Sequence, residues 1–112
     1  MGRIVYRIVV ENPPSDDDLK SYAELGLRAS RPIPELVRLM SGISVMGTME
    51  SAIKKARGKP WKSDAWIAEL VIPDDLGLAI EQTTRDPNHY TLWATVEELH
   101  GLVGRVVRVS KD

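Results

Sequence analysis

The chain contains no cysteine. That excludes disulfides, thiolate catalysis and cysteine-bound zinc, and it fits a reducing compartment. Histidine is scarce. Only His89 and His100 occur, and they lack the i, i+4 spacing that sets two imidazoles on one helix face, so a zinc site would have to draw on carboxylates. No stretch approaches the ~20 consecutive apolar residues of a membrane span. The apolar run behind Arg3 alternates and is interrupted by Arg7, so no secretory leader is expected. Neither sign of charge dominates: 15 Lys and Arg face 16 Asp and Glu, for a formal net charge of −1. That balance argues against a general nucleic-acid coat or a polybasic membrane anchor and leaves only local patches open. A glycine-rich phosphate loop is missing too, because Gly42 and Gly47 lack the lysine-serine pair such a loop requires. No internal repeat or low-complexity segment is present. Together these absences lead to the expectation of a soluble cytoplasmic protein without a membrane partner.

What is present suffices for a core. A chain of 112 residues that is 43% hydrophobic is expected to form one domain over residues 1–112. The stretch from Ser41 to Pro73 organises it. Gly42 to Met46 reads as a short strand. Thr48 caps a helix from Met49 to Arg57, whose apolar stripe is Met49, Ala52, Ile53 and Ala56. Ala65 to Ile72 is apolar on both sides, as in the middle of a sheet. Before this unit, Arg3 to Val10 alternates as a strand. Ile4, Tyr6, Ile8 and Val10 form its expected core face, with Val5, Arg7 and Val9 opposite. Ser15 caps a helix whose first turn holds Asp16, Asp17 and Asp18, with Gly26 as its expected stop. Pro34 opens another helix, ending at Met40. After the unit, Leu78 to Thr84 and His89 to Trp93 are expected to pair as a hairpin. Thr95 and Glu98 then make a capping box, and Arg105 to Val109 closes the chain as a strand. The order β-α-α-β-α-β-β-β-α-β predicts an α+β domain: short helices on a mixed or antiparallel sheet.

Few polar residues escape a purely structural explanation. Arg7 lies on the first strand, where its stem also suits a sheet face. Ser44 is a hydroxyl inside an apolar strand. His89 and Tyr90 follow a turn, a place where reactive groups are displayed. Glu97 is less accounted for than Glu98, which the capping box uses. His100, near a helix end, is placed to satisfy carbonyls. Lys54, Lys55, Arg57, Lys59 and Lys62 surround Trp61, a mixture of cations and an aromatic that binds phosphates and stacks bases, or simply solvates a helix face.

The layout resembles compact ADP-ribosyltransferase-like domains. The residues that carry the likeness are Val5-Tyr6-Arg7-Ile8-Val9, then Gly42-Ile43-Ser44-Val45, the capped helix from Thr48 to Ala56, the strand ending in Ile72-Pro73, and acids before the last strand. The resemblance implies a small protein, of toxin type, that binds NAD or a related nucleotide in a cleft. It implies Arg7 as the residue that holds the dinucleotide, Ser44 as the catalytic hydroxyl and Glu97 or Glu98 as the late catalytic acid, with Glu97 preferred because the capping box uses Glu98. His89 and Tyr90, displayed after their turn, are the further expected cofactor-binding residues. The family's Ser-Thr-Ser run is here Ile-Ser-Val, and no Glu-x-Glu pair occurs. An alternative of another class stays open: a non-catalytic module that binds nucleic acid through residues 54–62, or a protein partner.

Overall fold

The computed structural model describes residues 2–21, 23–26, 34–58, 65–82 and 85–109, apart from the side chains of Glu35 and Leu36. Its elements follow the expected order. They are β1 (Arg3–Val9), α1 (Asp16–Leu19), α2 (Pro34–Met40), β2 (Ile43–Met46), α3 (Met49–Ala56), β3 (Trp66–Ile72), β4 (Ala79–Gln82), β5 (His89–Trp93), α4 (Val96–Leu102) and β6 (Val103–Arg108). One 3₁₀ turn, Asp74–Leu76, precedes β4. The strands make a single sheet in the order β4-β5-β2-β1-β3-β6, every pairing antiparallel. This is an α+β domain, and its radius of gyration, 13.6 Å, is that of one folded unit of this length. No described helix is long and apolar enough to cross a membrane.

Both faces of the sheet are covered, and this decides which residues are buried. On one face α1 and α4 bring Leu19, Leu99 and Leu102 onto Val5, Ile43, Val45, Leu70, Ile72 and Leu92. On the other, α3 lays Ala52 and Ala56 on Ile8, Met46 and Ile67. The expected core face of β1 is therefore corrected. Val5 and Val9 are fully buried, while Ile4 and Val10 are 45% and 53% exposed. Ile8 is covered by the short α3, which leaves both ends of that strand face open.

Local chemistry sets the helix ends. The Thr48 hydroxyl accepts the Ser51 amide, and Thr95 and Glu98 form the reciprocal box that starts α4. The first helix is much shorter than expected. Lys20 is extended, and Ser21 starts a new turn in which its hydroxyl accepts the Glu24 amide and the Glu24 carboxylate accepts the Ser21 amide. A second capping box within six residues stops the first helix by offering the backbone a better partner.

Candidate functional site

The site begins where a ladder fails. β1 and β2 share one registered pair, Tyr6 opposite Met46. Continued antiparallel register would set Ile8 against Ser44, but the strands part there. Parting strands strand their backbone groups, which need other partners. Arg7 and Asp18 supply them. Arg7 donates from Nη1 to the Ser44 carbonyl at 2.8 Å and from Nε to the Asp18 carbonyl at 3.1 Å. The buried Asp18 carboxylate accepts the amides of Val10, Glu11 and Ser15 at 3.0–3.2 Å. Arg7 thus ties β1 to β2 where the ladder ends, and the Asp18 carboxylate fixes the turn that leads from β1 into α1.

A cavity of about 640 Å³ occupies the opening. Arg7, Ile8 and Val10 form one lip and Gly42, Ile43 and Ser44 the other. The floor is His89 and Thr91 of β5, and the outer wall comes from Glu11, Ser15, Asp17, Asp18, Lys20, Ser21 and Leu25 with Leu39 and Met40 at the end of α2. Lys55 reaches in from α3. Strand alternation explains the floor: Ser44 lies opposite Thr91 and Met46 opposite His89, so these four side chains share a sheet face. Gly42 is required at the lip. A Cβ there would meet Thr91 Cγ2 at 2.5 Å and Trp93 Nε1 at 3.0 Å.

His89 is the most unusual group in this wall. It is 9% exposed, and its Nδ1 is buried with no hydrogen-bond partner among the described residues. Burial pushes its pKa below the ordinary histidine value of 6.5, and the nearby Lys55 ammonium adds to that, while Asp86 pulls partly the other way. The imidazole is therefore neutral at pH 7. The cavity wall carries three cations, Arg7, Lys20 and Lys55, and three carboxylates, Glu11, Asp17 and Asp18. Lys20 is paired with Asp17 at 3.2 Å, and the Asp18 carboxylate is taken up by backbone amides. The cavity's volume lies within the ~300–1,000 Å³ typical of small-molecule pockets. Cations beside a neutral hydrogen-bonding group suit a ligand with an anionic part and an uncharged polar part.

The candidates divide accordingly. Arg7, Ser44 and His89 come together from three strands. Tyr90, next to His89, points to the opposite face, packs on the larger core cluster and carries the Arg3 guanidinium 4.6 Å above its ring. Glu97 is exposed in the first turn of α4 and does not line the cavity. Glu98 is committed to its capping box. The imidazole of His100 pairs with Asp16 at 2.7 Å and ties α4 to α1. Lys54 and Arg57 are exposed at the end of α3, and Lys59, Trp61 and Lys62 lie outside the described residues. Among the described residues no group of three or more acids or histidines is placed to hold a metal ion.

Three participants went unrecognised in the sequence. Thr91 follows His89 by two, the spacing of one strand face. Asp18 follows Ser15 by three, the spacing of a capping box. Lys55 was visible only as part of a basic helix end. No family model matches the chain, and no curated protein or solved structure matches it.

Proposed function

We propose that the protein binds NAD or a related nucleotide in the cavity between β1 and β2, in the manner of a small ADP-ribosyltransferase-like domain. One observation carries this reading: Arg7, Ser44 and His89, far apart in the chain, line the same opening with Lys55 beside them. A guanidinium and an ammonium complement a pyrophosphate, and the lip hydroxyl and floor imidazole complement sugar or base. Transfer of ADP-ribose needs, in addition, a carboxylate at the ribose to stabilise a cation-like sugar. Glu97 stands outside the wall, so binding is the activity we assign to the cavity, and nicotinamide release measures transfer separately.

The test is thermal unfolding of the purified chain with NAD, alongside an assay for free nicotinamide. At about 100 times Kd a ligand adds ~2.7 kcal/mol, which for a domain of this size is a rise on the order of 10 °C. Arg7→Ala should abolish the rise. No shift and no release at millimolar NAD would reject the reading.

The alternative of nucleic-acid binding has the exposed Lys54, Lys55 and Arg57 in its favour. Salt-sensitive RNA binding that survives Arg7→Ala and disappears when Lys54 and Lys55 are neutralised would select it instead.

A further inference from the structure

Several polar groups of the cavity wall have a structural task. Arg7 bridges the parted strands, Asp18 holds three amides, and Lys20 is paired with Asp17. His89 differs. Its ring is packed into the floor, and its buried Nδ1 has no hydrogen-bond partner among the described residues. A buried polar atom without a partner costs free energy comparable to a lost hydrogen bond. An unsatisfied group of this kind calls for an explanation such as a role in the chemistry of the site or a bound water or ion. The charged groups acting on the ring are Lys55 from α3 and Asp86 from the turn before β5. Burial first and the Lys55 ammonium second disfavour a positive charge on the ring, so it keeps one N–H donor and one lone pair.

Resting on the nucleotide reading, we infer that His89 is the residue that selects the ligand: its imidazole hydrogen-bonds an uncharged polar group of a nucleotide whose phosphates lie against Arg7 and Lys55. The cavity is then divided. One part recognises charge and would accept any small polyphosphate. The floor recognises an amide, hydroxyl or ring nitrogen, and it separates a nucleotide from a bare phosphate. Lys55 serves both parts, because the same ammonium that attracts phosphate adds to the effect of burial on the imidazole.

Calorimetric titration of the full chain with NAD and with inorganic pyrophosphate tests this division. His89→Phe keeps a planar ring and removes both nitrogens, while His89→Gln keeps a donor and an acceptor. The expected result is that His89→Phe weakens NAD binding about ten-fold, the loss of one buried hydrogen bond, and leaves pyrophosphate binding within about two-fold. His89→Gln should recover most of the NAD affinity. The inference is overturned if NAD and pyrophosphate weaken in parallel, which a merely structural histidine would produce, or if NAD binding is indifferent to His89→Phe. If the wild-type chain binds neither compound, the nucleotide reading itself fails and this inference with it. If Arg7→Ala abolishes NAD binding while His89→Phe changes nothing, only the present inference fails.

Discussion

The two seams flanking β1 are built differently. Toward β3 the strand is laddered without a gap, from Arg3 opposite Ile72 to Val9 opposite Trp66. Toward β2 it makes one registered pair and then parts. On the first seam the backbone satisfies itself, and side chains such as Val5 and Leu70 are free to fill the core. On the second, side chains must satisfy the backbone, and Arg7 and Asp18 are spent on doing so. The closed seam contributes stability and has no room for a ligand. The open seam gives up ladder hydrogen bonds and gains a walled cavity. Within one strand, Val5 and Arg7 belong to these two designs, two residues apart.

Substitutions on the two seams should therefore separate stability from binding. Leu70→Ala on the closed seam should cost about 2–5 kcal/mol, the range for a buried leucine whose cavity collapses only partly. Asp18→Asn on the open seam should cost about 1–3 kcal/mol, because an amide in place of the carboxylate leaves at least one of the three backbone amides poorly matched. Urea unfolding of both variants gives these numbers. NAD affinity of the folded fraction should be unchanged by Leu70→Ala and reduced by Asp18→Asn. If both variants bind normally, the turn that Asp18 fixes does not shape the cavity.

The smallest expected effect is a pH dependence. Unfolded His89 takes up a proton near the ordinary value of 6.5, and the folded ring does so only at lower pH. Between those two values the unfolded chain binds more protons, so stability falls as pH falls through that window. Above pH 6.5 this contribution to pH dependence vanishes. Urea midpoints at pH 7 and pH 5 should differ less for His89→Gln than for the wild type. An equal difference in both would place the titrating group elsewhere.

Much of the fold was legible because its signals are local. The capping residues Thr48 and Thr95, the alanine stripe of α3 and the doubly apolar β3 each declare an element within a few residues. The buried face of β1 was not legible, since both faces of Ile4 to Val9 are apolar and only the reach of α3 distinguishes them. The early end of α1 was written in Ser21 and Glu24, a second capping box behind the first. Alternation separates His89 from Tyr90, because successive side chains on a strand point to opposite faces of the sheet. The meeting of Arg7, Ser44 and His89 had no local signal. It depends on β2 lying between β1 and β5, an order that skips through the chain.

The account stands on the parted seam being the place where ligand enters. Amide hydrogen exchange with and without saturating NAD addresses this most directly. Slower exchange confined to residues 7–11, 42–44 and 89–91, with the pairing of β1 and β3 unchanged, is the predicted result. Protection spread evenly over the sheet, or centred on α3 and absent from the seam, would contradict it.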